Sequence, residues 1–180
     1  WDHLGKVEKD GKEVIYHGAV DNATGVAGLI AMGKRFAGLE ERPDRSVVFL
    51  AVTAEESGLI GSKHYAENPL FPLAKTVAGM NMDALNVYGP TNDVEVIGYG
   101  YTKLDNVLEK YAEKQKRVIE PDAHPERGYY FRSDHFNLAR KGVPTIYASG
   151  GDDYKGKDEA YSEKVKQDMK NRYHQPSDTI

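Results

Sequence analysis

The sequence predicts an α/β fold in which helices cover both faces of a central sheet. Apolar segments of strand length alternate along the chain with segments whose apolar residues recur at helical spacing. Residues 47–52 are apolar without interruption, as in a strand that is buried on both faces. The 180 residues contain no internal repeat, low-complexity tract or linker, so we expect a single domain over residues 1–180.

The predicted elements follow the alternating order of this class. The first helix, over residues 24–39, presents Val26, Leu29 and Phe36 on one face and ends before the break at Pro43. A segment of alternating charges, residues 155–170, is predicted to be a solvated helix or a flexible excursion. The other predicted elements are strands over residues 13–16, 46–52, 76–82, 93–97 and 143–148, and helices over residues 59–67, 104–116 and from Ser133 or Asp134, as the cap, to residue 141.

Composition excludes several functional classes. The net charge of −4, with Lys and Arg interspersed among the acidic residues, offers no basic stripe for a nucleic acid partner. The absence of cysteine excludes disulfides and any zinc site built from thiolates. No apolar run approaches the ~20 residues that span a bilayer, so no membrane span is predicted in this segment.

Two adjacent carboxylates, Glu55 and Glu56, directly follow the apolar run. Because the chemistry of α/β enzymes lies at the carboxyl ends of strands, this pair is a candidate site. Neighbouring side chains there point in different directions, so one carboxylate can bind a cation while the other faces a substrate or a water molecule. A solvated acidic turn is the alternative, and it would be preferred for an isolated pair.

Three further residues occupy comparable positions. Asp21 precedes the start of the first helix, Asp83 closes an apolar segment, and His174 lies in a turn-rich segment near the end of the sequence. Taken singly, Asp21 is explained as a helix N-cap, Asp83 as a turn residue and His174 as a surface imidazole. Together with Glu56 they form the oxygen and nitrogen ligand set that suits zinc, and Glu55 remains as a base.

Six motifs in order resemble those of the co-catalytic di-zinc aminopeptidases, the family that includes glutamate carboxypeptidase and bacterial leucyl aminopeptidases. They are WDHLG at residues 1–5, GAVDNATG at 18–25, TAEESG at 53–58, NMD at 81–83, RSDHF at 132–136 and YHQPSDT at 173–179. The resemblance implies a zinc exopeptidase-like fold, a three-layer α/β/α sandwich with a mixed, mostly parallel sheet. It also implies peptide substrates, cleaved from their amino terminus with two zinc ions as cofactors.

The resemblance also implies metal ligands. Asp21 would bridge the two zinc ions, Glu56 and His174 would complete one site, and Asp83 would serve the other. The family ligand His would fall immediately before Trp1, so His3 receives no ligand role, and we expect weak affinity at the second site. Both ends of the sequence are therefore expected to be edges of a longer chain.

The remaining implied roles are catalytic. Glu55 would be the general base that takes a proton from the metal-bridging water and passes it to the leaving amine. Tyr130 would donate to the oxyanion, and Asp2 would orient the missing His or its metal.

Two alternatives remain from the sequence. One is a glutaminyl cyclase-like enzyme that works with a single zinc. The other is a non-catalytic binding domain of the same fold, against which the retained carboxylates and His174 argue.

Overall fold

A hairpin and a four-stranded mixed sheet form the framework of the computed structural model, which describes residues 3–180. The strands are β1 (Gly5–Lys9), β2 (Lys12–Tyr16), β3 (Gly79–Asn81), β4 (Asp93–Ile97), β5 (Val118–Pro121) and β6 (Thr145–Gly150). The α-helices are α1 (Ala23–Ala37), α2 (Ile60–Glu67), α3 (Asp105–Lys114), α4 (His135–Ala139) and α5 (Glu159–Arg172). Short 3₁₀ turns occur at Leu73–Lys75, Pro125–Arg127 and Tyr129–Phe131.

The four-stranded sheet has the order β3-β6-β4-β5. β3 runs parallel to β6 and β4 runs parallel to β5, whereas β4 and β6 are antiparallel. Val96, which is 1% exposed, and Ile146 belong to the core of this sheet. α4 packs against β3 and β6, and α3 against β5. The predicted α/β class, with a mixed and mostly parallel sheet flanked by helices, is confirmed.

The hairpin of β1 and β2 was predicted only in its second strand. Its two-residue turn is formed by Asp10 and Gly11, which both have positive φ angles of 52° and 71°. This is the type I′ geometry for which an Asp-Gly pair is a recognised sequence signal. Every residue of β1 is exposed. The first strand therefore carries no burial pattern by which apolar periodicity could have found it.

The prediction of a central strand over residues 46–52 is wrong. These residues belong to neither sheet, and Val47, Val48 and Phe49 are 45%, 46% and 39% exposed. A strand requires a neighbour that satisfies its backbone hydrogen bonds, and within residues 3–180 this segment has no strand beside it. An apolar run reports a tendency to be buried, but it does not specify a pairing partner.

β4 has the predicted bounds, and the other predicted elements are present with shifted bounds. The charged segment after residue 155 is a helix, α5, whose N-cap Asp158 accepts a hydrogen bond from the Tyr161 N–H at 3.0 Å. The strand predicted over residues 76–82 is reduced to β3. No helix formed by residues 3–180 is both long and apolar enough to cross a membrane.

Candidate metal centre

Side chains from three other parts of the chain converge on the carboxylate of Glu56. His174 Nε2 lies 3.1 Å from Glu56 Oε1 and 3.3 Å from Asp21 Oδ2. His3 Nδ1 lies 3.0 Å from the same Glu56 oxygen. His3, Asp21 and Glu56 each offer a ligand atom within 4.8 Å of the others. The structure thus brings together three of the four predicted metal ligands, and adds His3.

The turn that carries Asp21 is fixed by the residue after it. Asn22, not Asp21, is the N-cap of α1, and its Oδ1 accepts hydrogen bonds from the Gly25 N–H at 2.9 Å and the Ala84 N–H at 3.2 Å. Its Nδ2 donates to the Met82 carbonyl at 3.0 Å. A Cβ atom at Gly25 would lie 2.5 Å from that carbonyl oxygen, so this close approach requires glycine. The Asp21 carboxylate is left to face the site.

Glu55 and Glu56 lie in a turn that leads into α2. The N–H groups of Gly58 and Leu59 donate to the Glu55 carbonyl at 3.0 Å and 2.8 Å, which closes the turn. Ala54, directly before the pair, has a φ of 56°, a conformation that residues with a side chain seldom adopt. Both carboxylates are half-buried. The turn directs an acidic pair into the site although residues 46–52, directly before it, form no strand.

Asp83 is held by a chain of hydrogen bonds through Ser133 and Asn81. The Ser133 hydroxyl donates to Asp83 Oδ2 at 2.7 Å, and Asn81 Nδ2 donates to that hydroxyl at 2.7 Å. The Ser133 hydroxyl therefore serves Asp83, and of the two predicted cap residues it is Asp134 that stands at the start of α4. Asp134 occupies the N-cap position of α4, but its side chain makes no capping hydrogen bond. Ser133, 3% exposed, orients Asp83 instead.

The carboxylates raise one another's pKa. Burial, followed by the negative charges of Asp83 and Glu56, raises the pKa of Asp21 to about 6, and this rise is opposed by His3 and His174. Burial, with the charges of Asp83 and Glu56 next in importance, raises the pKa of Glu55 to about 8. Like charges that are close together and partly removed from water cause both shifts. A cation at this position would be strongly favoured.

His174 has an unusual backbone conformation, with a φ of 53°. Its ring stacks on Tyr173 at a centroid distance of 3.9 Å and meets His3 edge-on at 5.6 Å. The alternative of a free surface imidazole does not describe it, because its Nε2 faces the carboxylates.

Tyr130 lies in a cluster of aromatic rings. It packs edge-on against His135 at a centroid distance of 4.8 Å, and His135 packs against Tyr147 at 5.1 Å. Burial, and then the charges of Asp83 and Asp21, raise the pKa of Tyr147 above its usual range. Burial lowers the pKa of His135 to about 4, which keeps this imidazole neutral. Tyr130 is thus linked through His135 to Tyr147, a ring close enough to Asp83 and Asp21 for their charges to affect its pKa.

Two residues of the first motif remain to be placed: Asp2, which was predicted to act in the site, and His3, which was not. Asp2 lies outside the residues that the structure describes. His3 was given no ligand role because its motif position does not match, yet its side chain is 6% exposed and contacts Glu56. Gly18 makes this approach possible, since a Cβ there would lie 2.7 Å from the His3 Cβ. The sequence signal that could have identified His3 was the presence of a histidine in the first motif.

The donor set fits zinc. Zinc is bound in proteins by imidazole nitrogens and carboxylate oxygens, and both are present in His3, His174, Asp21 and Glu56. The Nε2 atom of His3 is buried and has no hydrogen-bond partner among residues 3–180. A buried imidazole nitrogen without a partner is costly unless something binds it, and a cation would do so.

Comparison with known proteins gives a family match and structural neighbours. The model of "Peptidase family M28" matches residues 1–180. Aminopeptidase NAALADL1 of Mus musculus is 40% identical over 92 residues, which cover 44% of this chain and 12% of that protein.

The solved structures share the fold. An aminopeptidase from Aneurinibacillus sp. strain AM-1 superposes with a TM-score of 0.64 at 22% identity, covering 99% of this chain and 36% of that one. BSAP, a zinc aminopeptidase from Bacillus subtilis, gives 0.63 at 22% identity, covering 90% of this chain and 36% of that one. The chain therefore spans well under half the length of these neighbours.

Proposed function

The chain belongs to peptidase family M28, and from this membership we propose that it acts as a zinc-dependent aminopeptidase, removing amino-terminal residues from peptides. The observation that carries the proposal is the convergence of His174 Nε2 on Asp21 Oδ2 and Glu56 Oε1, at 3.3 Å and 3.1 Å. These residues come from distant parts of the sequence, and a solvated acidic turn would not assemble them.

The proposed ligands divide between two ions. Asp21, Glu56 and His174 would hold one zinc, and Asp83 would share Asp21 with a second. Bound zinc would make a water molecule more acidic and would polarise the peptide carbonyl. The hydrogen bond from the Ser133 hydroxyl, at 2.7 Å, supports the role of Asp83 by fixing one of its oxygens and leaving the other available.

Glu55 is the proposed general base. It adjoins Glu56 in the same turn, so it can reach a water molecule at the site without being used as a ligand itself. A carboxylate oxygen of Glu55 would accept a proton from the attacking water and return it to the leaving amine. The raised pKa of Glu55 supports this role, because a carboxylate with a higher pKa is a stronger proton acceptor.

Tyr130 remains the proposed donor to the developing oxyanion, and Asp2 the proposed orienting carboxylate. The support for Tyr130 is its packing against His135 and, through His135, its link to Tyr147 at the edge of the site. A phenol fixed by aromatic neighbours on several sides can present its hydroxyl without reorganisation.

The test is hydrolysis of leucyl and alanyl anilides by the full chain, before and after removal of metal by a chelator. We expect activity that chelation abolishes and zinc restores, and no cleavage of the N-acetylated anilides. Glu55→Gln should retain bound zinc and lose most turnover, about 10²–10⁴-fold. Glu113→Gln, an exposed position on α3, is the matched control and should behave as wild type. Full activity of Glu55→Gln, or equal cleavage of acetylated substrates, would contradict the proposal.

A further inference from the structure

Asp178 is a buried carboxylate next to the candidate metal centre, and the roles proposed above do not use it. Asp178 is 1% exposed. The Val20 N–H donates to both of its oxygens at 3.0 Å, and the Asp21 N–H donates to Oδ2 at 3.0 Å. A carboxylate that accepts backbone N–H groups makes charge-assisted hydrogen bonds, which are the stronger class.

These hydrogen bonds join two loops that carry ligands. We call residues 17–22 the Asp21 loop and residues 173–179 the His174 loop. The Ala19 N–H also donates to the Asp178 carbonyl at 3.2 Å, so both the side chain and the backbone of Asp178 bind the Asp21 loop. Within the His174 loop, the Asp178 N–H donates to the Gln175 carbonyl at 3.0 Å. Asp178 is therefore the junction between the loops that carry the Asp21 and His174 side chains.

The loops require such a junction for two reasons. His174 has a φ of 53°, a conformation that persists only when surrounding contacts enforce it. The carboxylates of Asp21 and Glu56, which offer oxygens within 4.8 Å of each other, are also like charges that repel one another. Without a fixed connection, both effects would move Asp21 away from His174.

We propose that Asp178 is a positioning residue, which holds Asp21 Oδ2 close to His174 Nε2 so that the site is arranged for a metal ion before the ion binds. The inference rests on the proposed function for the identity of the ion as zinc. Asp178 acts through backbone N–H groups, and it touches neither the metal nor the substrate. Loss of its carboxylate would leave the ligands present but free to separate.

The experiment measures zinc affinity of the full chain by competition with a chromophoric chelator. Asp178→Asn keeps the size of the side chain but removes its charge and replaces one of its two acceptor oxygens by an amide NH₂ group. We expect zinc to bind this variant about 10–100-fold more weakly, as is usual when a group that orients a metal ligand is removed. The visible absorption spectrum of the Co²⁺ form should change as well, because it reports the geometry of the ligands.

Two controls separate positioning from charge and from stability. Asp158→Asn, at the N-cap of α5, removes the same negative charge outside the site and should leave zinc affinity unchanged. Val96→Ala destabilises the core of the sheet, where Val96 is 1% exposed, and should also leave zinc affinity unchanged in the folded protein. If Asp178→Asn does not fold, Asp178→Glu replaces it as the test variant. This substitution keeps the charge but displaces the carboxylate oxygens by one methylene, and we expect it to weaken zinc binding.

Wild-type zinc affinity and an unaltered Co²⁺ spectrum in a folded Asp178 variant would overturn the proposal. A loss of affinity in Val96→Ala equal to that in Asp178→Asn would also overturn it, because stability alone would then explain the effect. If wild type binds zinc but cleaves no aminoacyl anilide, the proposed function fails while the affinity comparison still tests Asp178.

Discussion

Replacing Asn22 by alanine tests how the Asp21 turn is attached to the rest of the fold. The side chain caps α1 through the Gly25 N–H at 2.9 Å, accepts from the Ala84 N–H at 3.2 Å and donates to the Met82 carbonyl at 3.0 Å. Loss of an N-cap costs about 1 kcal/mol. Each of the two tertiary hydrogen bonds contributes about 1 kcal/mol. We therefore expect Asn22→Ala to lower the free energy of unfolding by about 3 kcal/mol.

The assay is urea unfolding of the metal-free protein, with circular dichroism as the signal that reports the folded fraction. Asp158→Ala is the matched control, because Asp158 caps α5 through a single hydrogen bond from the Tyr161 N–H at 3.0 Å. This control should lose about 1 kcal/mol, so the difference of about 2 kcal/mol measures the two tertiary bonds. Equal losses in the two variants would refute the reasoning, since the bonds to residues 82–84 would then contribute nothing.

Two further predictions concern Glu55 and Tyr130. The pKa of Glu55 is raised from about 4.5 to about 8, so the folded metal-free protein binds this proton more tightly than the unfolded chain, and stability should fall as pH rises through that range. Urea unfolding at several pH values should show this fall in wild type and a smaller one in Glu55→Gln; identical profiles would refute the shift. Gly98 has a φ of 81°, and a Cβ there would meet the Tyr130 ring. Gly98→Ala should therefore displace Tyr130 and lower kcat with zinc content unchanged, whereas unchanged kcat would argue against the role of Tyr130.

The sequence predicted the elements whose apolar residues recur with a clear period. β4 has the predicted bounds, and the first helix was predicted within two residues of each end of α1. β5 was missed because three of its four residues are exposed, so the strand has no burial pattern. The wrong strand over residues 46–52 has the opposite cause, since a strong apolar run was assumed to have a pairing partner.

The part of the site that could be predicted consists of the residues that lie in recognisable motifs. Carboxylates and an imidazole in ordered motifs predicted Asp21, Glu56 and His174, and the structure brings these side chains together. The residues that fix them were not predicted. Asp178 lies 158 positions from Val20, its hydrogen-bond partner, and no local pattern indicates such a contact. His3 was missed for the same reason, because its contact with Glu56 depends on how distant loops meet.

The candidate site carries energetic costs in its backbone and in its charges. Positive φ angles at non-glycine residues occur at Ala54, directly before Glu55, at Ala84, directly after Asp83, and at His174. Each such residue costs of the order of 1–3 kcal/mol, and the repulsion between the carboxylates adds to this. A sequence selected for stability alone would replace these residues, so their presence together argues for a function that needs them. The hydrogen bonds of Asn22 and Asp178 offset part of the cost, because they hold the strained turns on both sides of Asp21. A bound divalent cation would offset much of the rest, since it converts the repulsion between the carboxylates into shared coordination.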